Sequence, residues 1–240
     1  MRNYFILDGV DSRDFGVYIS GQGVFGAPAR SYDMVQVKGR NGDLINDYGR
    51  FNTGTFTYPA FICRNFRQNM ADFRAFLLSR RGYKRLTDSY NPGEFRQVIF
   101  SGDIDPDVTP RNDAANFDLT FRAKPQRFLT SGETPVTAAS GLILQNPTRF
   151  HALPLIVTNG TGYFSVENAE GTVTVTIAPE AGGGVTVDCE MMDAYSGSTN
   201  MNNFVSLSGY KFPSLAPGAN RIRCGSGITS LTITPRWWTL

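Results

Sequence analysis

Short segments in which apolar and polar residues alternate recur along almost the whole chain. The clearest spans residues 116–123, where Phe117, Leu119 and Phe121 alternate with polar residues. Alternation of this kind places one face of a strand against a core and the other in water, as in antiparallel sheets. In the second half such segments recur about every 8 to 12 residues, between turns rich in Gly, Pro and Asn. The sequence therefore predicts a mainly β protein built from antiparallel strands.

One stretch of the sequence has helical periodicity instead. Its apolar positions repeat with the spacing of a single helix face: Phe66, Met70, Phe73, Phe76 and Leu77. Asn65 precedes them as an expected N-cap, and Gly82 follows where a left-handed C-terminal cap is expected. We expect this face to pack against a sheet rather than to line a ligand pocket.

A dense polar loop, Lys38-Gly39-Arg40-Asn41-Gly42-Asp43, interrupts the strand pattern of residues 34–62. Asn-Gly is a strong turn signal, and glycine adopts backbone angles that strain other residues. The glycine spacing matches neither GxxxxGK[ST] nor GxGxxG, and no βαβ pattern surrounds the loop, which argues against a phosphate site. The loop is therefore predicted to be a turn between strands, either solvated or projecting into a subunit interface.

The distribution of charge divides the chain into two parts. Residues 1–128 contain 18 Lys and Arg against 14 Asp and Glu, and residues 129–240 contain 5 against 7. Residues 131–140 between them are small, polar and punctuated by proline, as in an interdomain linker. We predict a domain at 1–130, a linker at 131–140 and a domain at 141–240. The formal net charge of +2 predicts no specific nucleic-acid binding.

The chain shows no pattern of a secretory or membrane segment. The apolar run at residues 4–7 is too short for a signal peptide, and no stretch approaches the roughly 20 apolar residues of a membrane helix. Cys63, Cys189 and Cys224 are odd in number and widely spaced, so free thiols are expected rather than a disulfide framework or zinc site. These features fit synthesis in a reducing cytoplasm and predict no membrane insertion.

Candidate catalytic and metal-binding residues are incomplete in this sequence. His151 is the single histidine, and no motif places a nucleophile and an acid beside it. Asp103, Asp105 and Asp107 resemble the start of a calcium loop, but the glycine and glutamate that complete such a loop are replaced by Val108 and Ala114. We therefore predict no catalytic, metal or cofactor site, and no enzymatic activity.

Trp237 and Trp238 near the C-terminus offer the aromatic surface that stacks on a sugar ring. Adjacent residues on a strand point to opposite faces, so one of the two is expected to pack into the core. A β-sandwich module that contacts host cell-wall saccharide through these tryptophans is the alternative functional hypothesis.

Blocks of sequence along most of the chain, taken in order, resemble the distal tail proteins of long-tailed, non-contractile bacteriophages. In the first half these are Asp8-Gly9, Asp14-Phe15-Gly16-Val17, the loop at residues 37–44, the single helix and Lys124-Pro125-Gln126-Arg127-Phe128. In the second half they are Asn146-Pro147-Thr148, Pro154-Leu155-Ile156, the strand at residues 185–189, the turn at residues 212–220 and Pro235-Arg236-Trp237-Trp238.

The resemblance implies a fold and a role. The first half is expected to be a β-barrel-like belt domain with one helix, six copies of which form a ring. The second half is expected to be a galectin-like β-sandwich outside that ring. Such a homohexamer is a hub at the distal end of the virion tail, between the tail tube protein and the tail-tip or tail-associated protein. The tape measure protein and receptor-binding proteins are further expected partners in host adsorption.

A ring of identical subunits needs two different patches that meet head to tail. We therefore predict that Lys38, Arg40, Asn41 and Asp43 contact a neighbouring subunit or the next ring, with Arg40 and Asp43 as the leading candidates. A solvated hairpin without partners remains the alternative for this loop.

Overall fold

The computed structural model describes residues 2–20, 25–63, 65–111, 113–138 and 140–240. The chain divides into two compact units, residues 1–127 with Leu240 and residues 128–239. Among the helices that are described, none is both long and apolar enough to cross a membrane.

The first unit is built around one curled antiparallel sheet. Its strands run in the order β2-β1-β7-β8-β10-β6-β3, with β9 beside β10 and with β4 and β5 forming a separate pair. The strands of this unit are β1 (Phe5–Leu7), β2 (Val10–Asp11), β3 (Val17–Ile19), β4 (Arg30–Val35), β5 (Leu44–Phe51), β6 (Gly54–Cys63), β7 (Lys84–Asp88), β8 (Glu94–Phe100), β9 (Asp107–Val108) and β10 (Ala114–Leu129), whose end reaches the second unit.

Two long strands, β6 and β10, carry the core of this sheet. Phe117, Leu119 and Phe121 of β10 lie opposite Ala60, Tyr58 and Phe56 of β6, and all six are buried. The predicted alternation of residues 116–123 is thereby confirmed. Because the side-chain period of a strand is two, this register directs these six side chains into one core.

The single α-helix, α1 (Phe66–Ser79), covers that core as predicted. Met70, Phe73, Phe76 and Leu77 are buried on its inner face. Asn65 is the N-cap as predicted, although it is left-handed and its side chain makes no capping bond. The C-terminal end differs from the prediction, because the C-cap is Arg80 rather than Gly82. The helix ends at Arg80, whose backbone is extended with a φ of −83° and a ψ of 115°. Its N–H donates to the Leu77 carbonyl at 3.3 Å, and its guanidinium lies over the Phe76 ring at 4.0 Å.

The second unit is a sandwich of two antiparallel sheets. One has the order β11-β21-β13-β16-β17-β18 and the other β12-β20-β14-β15-β19. The strands are β11 (Val136–Thr137), β12 (Ile143–Asn146), β13 (Leu155–Gly160), β14 (Gly162–Asn168), β15 (Gly171–Ile177), β16 (Val185–Asp188), β17 (Asp193–Ser196), β18 (Thr199–Asn200), β19 (Val205–Leu207), β20 (Gly218–Cys224), β21 (Ile228–Thr234) and β22 (Trp238–Thr239). Buried residues of both sheets, among them Ile156, Phe164, Val187 and Ile222, form one core, as in a two-layer sandwich.

Residues 131–140, predicted to be a linker, contain regular structure in the part that is described. Thr130–Glu133 forms a short 3-10 helix, and Val136 and Thr137 pair with Ile233 and Thr232 of β21. Gly132 permits this course because a side chain there would collide with the Trp237 backbone, while the Arg236 N–H donates to the Gly132 carbonyl at 2.8 Å.

Several of the sequence blocks that carried the resemblance hold loops of the second unit together. Asn146 donates to the carbonyls of Phe150 and Leu215, at 2.9 and 3.0 Å. Asn220, fully buried, donates to the Ala216 carbonyl at 2.8 Å. Buried amides of this kind stabilise a loop because they satisfy backbone carbonyls that water does not reach. These blocks therefore have structural roles.

Asp188 and Arg236 form a two-pronged ion pair in the second unit, at 2.8 and 3.0 Å. Burial alone raises the pKa of Asp188, but hydrogen bonds from Arg236 and from the N–H groups of Met191 and Glu190 outweigh it and leave that pKa below its ordinary value. Two residues 48 positions apart are thus joined across the sheet edge.

We expect Asp188→Asn to lower the free energy of unfolding of the second unit by about 2–3 kcal/mol, because Arg236 loses its charged partner. In the native protein the folded pKa of Asp188 is depressed, so its contribution is present above about pH 4 and is lost as the pH falls through the folded value. Denaturation followed by tryptophan fluorescence measures this, since both tryptophans lie in the second unit. If the free energy of unfolding of the Asp188→Asn variant falls at acid pH as steeply as that of the native chain, the prediction is wrong.

Candidate assembly surface

Strands β4 and β5 form a hairpin that stands apart from the main sheet of the first unit. Arg30 pairs with Phe51 at its base and Val35 with Leu44 near its tip. Within the described ranges these two strands pair only with each other. An isolated two-stranded hairpin is at best marginally stable in water, so it usually has a further surface to pack on. Residues 30–51 are referred to below as the hairpin arm.

Both faces of the hairpin arm expose apolar side chains. Met34 lies opposite Ile45 on one face, and Val35 lies opposite Leu44 on the other. The exposed fractions of these four side chains are 57%, 62%, 52% and 46%. Sheets normally bury at least one face, and a clustered apolar surface on a soluble protein marks a binding site. Tyr32, Val37 and Tyr48 extend the same exposed surface.

Polar contacts along its length give the hairpin arm a defined shape. Arg30 forms an ion pair with Asp47 at 2.9 Å. The Tyr48 hydroxyl donates to the Asp33 carboxylate, which raises the pKa of Tyr48. Gly49, with a φ of +68°, donates its N–H to the Asp47 carboxylate at 2.8 Å within an irregularity in the strand register. Bulges of this kind bend a strand and increase its twist. These contacts therefore hold the exposed apolar surface of the hairpin arm in a defined shape within the single chain.

The predicted contact residues lie together at the tip of the arm. Lys38, Arg40, Asn41 and Asp43 are all exposed. The hydrogen-bonded turn has Lys38 and Gly39 at its centre, three residues before the Asn-Gly pair, because the Arg40 N–H donates to the Val37 carbonyl at 3.1 Å. Across the part of the chain that the structure covers, the four side chains have no hydrogen bond or ion pair. The tip therefore presents two cations and one anion to solvent, and its contacts remain a prediction.

The base of the arm borders a cavity of about 250 Å³ that sequence patterns did not reveal. Residues 26–29 and 52–56, which lead into and out of the arm, line it together with Arg96, Lys124 and Arg127. Arg127 donates to the Gly26 carbonyl at 3.1 Å. Burial and the nearby charge of Arg127 lower the pKa of Arg96. This basic pocket arises from the neighbouring strands β8 and β10, and only that pairing brings the two arginines together.

The residues considered for chemistry lie outside residues 30–51. The half-buried His151 belongs to the second unit, where its Nε2 is 2.9 Å from Glu170. Asp103, Asp105 and Asp107 border an open depression with Asp118 in the first unit. Among the described residues, no cluster of His, Cys, Asp or Glu has the geometry to hold a metal ion. Cys63, Cys189 and Cys224 are free thiols, and burial raises the pKa of Cys189 to about 12.

The two tryptophans have structural positions in the second unit. Trp237 is only 6% exposed, which confirms that one of the pair packs into the core. Trp238 donates its indole N–H to the His151 carbonyl at 2.8 Å and stacks on Phe150 with 4.4 Å between ring centroids. Trp237 therefore has no open face for a sugar, and one face of Trp238 is already covered. The structure does not support saccharide stacking at Trp237.

Comparison with known proteins finds similar structures but no similar sequences. No protein-family model matches the sequence, and no curated protein matches it. A chain of the phage p2 baseplate in its activated conformation covers 96% of this chain with a TM-score of 0.50 and 9% identity. The Dit (gp 19.1) protein of phage SPP1, described as a paradigm of the hub adsorption apparatus in phages that infect Gram-positive bacteria, is 14% identical. The two chains cover each other completely, with a TM-score of 0.70. The chain thus has the fold of the SPP1 Dit hub protein over its entire length.

Proposed function

We propose that this protein is a structural hub of a phage tail tip. In this proposal the first units of six copies form a ring that joins the tail tube to the adsorption apparatus. The observation that carries it is the likeness in fold to the SPP1 Dit hub, which extends over both complete chains. A likeness confined to one unit would fit any shared module, whereas this one includes both units in the same order.

The exposed surface of the hairpin arm supports the assembly part of the proposal. A closed ring requires a heterologous contact, in which one patch of a subunit meets a different patch of the next. The arm projects apolar side chains on two faces and leaves its tip unpaired, which fits insertion against a neighbouring subunit. Burial of Met34, Ile45, Val35 and Leu44 contributes about 25 cal/mol for each Å² removed from water. Lys38, Arg40, Asn41 and Asp43 then set the orientation through charge and hydrogen bonds.

The proposed hub meets different partners on different sides. One face of the ring contacts the tail tube protein, and the other contacts the tail-tip or tail-associated protein. The tape measure protein and receptor-binding proteins are further partners, and the sandwich, as a galectin-like module, lies outside the ring. The protein acts at the distal end of the virion tail after synthesis in the host cytoplasm. Its role is structural and requires no cofactor, catalysis, membrane insertion or specific nucleic-acid binding.

Reversing the charges at the tip tests the proposed interface. We expect Arg40→Glu combined with Asp43→Lys to raise the concentration needed for ring assembly by roughly tenfold or more, since like charges opposed across an interface cost several kcal/mol. Mass photometry over a concentration series measures this. Glu180→Lys with Lys211→Glu, an equivalent exchange at exposed positions of the second unit, is the matched control and should assemble normally. Unaltered assembly of the tip variant shows that the tip is an ordinary solvated turn.

A further inference from the structure

The chain contains two Asn-Gly pairs, and the structure places them in opposite environments. Asn41-Gly42 lies at the tip of the hairpin arm, and Asn159-Gly160 lies at the end of strand β13. Asn-Gly is the dipeptide in which a side-chain amide is most open to attack by the following backbone nitrogen, because glycine adds no side chain to shield that nitrogen. Whether the attack occurs depends on how freely the two residues move.

Nothing in the described structure restrains Asn41 and Gly42. Asn41 is exposed, and neither its side-chain amide nor the Gly42 N–H has a hydrogen-bond partner among the described residues. No heavy atom lies within 4 Å of the position that a Cβ on Gly42 would take. The pair is therefore free to reach the geometry in which the Gly42 nitrogen approaches the Asn41 side-chain carbonyl.

Asn159 and Gly160 are held by their neighbours in the sheet. The Asn159 amide donates to the Ser230 hydroxyl at 2.8 Å. Gly160 pairs with Ile228 of β21, and a Cβ on Gly160 would lie 2.1 Å from the Gly227 carbonyl oxygen. Attack at this pair requires the strand to open first, which costs free energy of local unfolding. Asn159 thus serves as an internal control with the same local chemistry.

We propose that Asn41 is a site of spontaneous modification in the unassembled protein. The Gly42 nitrogen bonds to the Asn41 side-chain carbonyl carbon and loses its proton, and the side-chain amide leaves as ammonia. Water then opens the resulting cyclic imide at one of its two carbonyls. The product is either aspartate or isoaspartate, the isomer in which the backbone continues through the side-chain carbonyl carbon. The net change is the gain of water and the loss of ammonia, and no oxidant or enzyme is needed.

The modification bears on assembly, and this part of the inference rests on the proposed function. A new carboxylate beside Asp43 changes the tip from two cations and one anion to two of each, and the isomer also lengthens the backbone of the turn. Both changes oppose a contact in which Arg40 and Asp43 set the orientation. A subunit that covers the tip in the ring also removes its freedom to cyclise. Unassembled chains therefore lose the ability to assemble as Asn41 is modified, whereas chains within a ring are protected from this modification.

Peptide mapping by mass spectrometry of full-length protein, aged at mildly alkaline pH, tests the site. In unassembled chains we expect conversion of Asn41 to be at least about tenfold faster than that of Asn159, because a residue in a paired strand reacts only when the strand opens. Equal conversion of the two residues overturns the proposal. This result does not depend on ring formation, so it decides the site even if fresh protein forms no ring and the proposed function fails.

Two variants test the consequence for assembly. Asn41→Asp should assemble roughly tenfold less well than fresh native protein, as expected for an added like charge at an interface. Asn41→Gln cyclises poorly, so its assembly should not decline on ageing, whereas that of the native chain should. If Asn41→Asp assembles like the native chain, or if Asn41 converts equally fast within rings, the link between modification and assembly is refuted.

Discussion

Replacing Met34 by Glu together with Ile45 by Lys is expected to abolish ring assembly while the chain stays folded. The two residues lie opposite each other on one face of the hairpin arm and are 57% and 62% exposed in the single chain. Burying one such side chain contributes about 1.5–3 kcal/mol, so charged replacements remove at least that much from each contact. Because every subunit of a ring makes two contacts, the loss multiplies around the ring.

The substitutions are chosen so that a change in ring assembly cannot be caused by unfolding of the hairpin arm. Glu and Lys at directly opposed positions form a favourable cross-strand pair, so the hairpin itself is retained. Circular dichroism and the melting temperature should match those of the native protein, and mass photometry should show monomers. Met191→Glu with Met192→Lys is the control, since these two methionines are 71% and 70% exposed in the second unit. Rings of the Met34 and Ile45 variant that equal native rings in yield contradict the proposed interface.

Replacing Leu77 by Asp is expected to unfold the first unit. Leu77 is 1% exposed and belongs to the core beneath helix α1. Removing a buried leucine side chain costs about 2–5 kcal/mol, and an unpaired polar group in its place adds to that cost. The total is comparable with the whole stability of a typical domain, about 5–15 kcal/mol.

The adjacent residue supplies the control for this prediction. Leu78 lies on the outer face of the same helix and is 68% exposed. Leu78→Asp should leave the melting temperature within a few degrees of the native value, because substitutions at exposed sites usually change stability by less than about 0.5 kcal/mol. Circular dichroism reports both units, whereas tryptophan fluorescence reports the second unit alone. A Leu77→Asp variant that melts like the native protein shows that the helix does not support the core.

The elements most accurately predicted from the sequence are those whose pattern is local and long. Strand β10 and helix α1 are examples, because each buries one face over a long stretch and this burial appears in its periodicity. The C-terminal end of the helix was less predictable, since it ends at Arg80, which has no strong stop signal of its own. The close packing of Gly132 on the Trp237 backbone could not be predicted, because small residues serve both in flexible linkers and in tight backbone packing.

The position of the polar loop was predictable from the sequence, but the exposure of both faces of the hairpin arm was not. The glycines and charges of residues 38–43 indicated a polar loop, and the structure places this loop at the exposed tip of the hairpin arm. Strands β4 and β5 have apolar residues on both faces, as strands buried on both sides also do, so no local pattern indicated that both faces are open. The ion pair of Asp188 with Arg236 and the basic pocket at the base of the arm likewise depend on residues far apart in sequence.

Particle mass is the measurement that tests the central claim most directly. Purified full-length protein, measured by mass photometry over a range of concentrations and imaged by negative-stain electron microscopy, is expected to form closed rings of six subunits. Each ring should have six times the chain mass of 26.4 kDa. Monomers at every concentration, with no rings in the images, would contradict the account of this protein as a ring-forming hub.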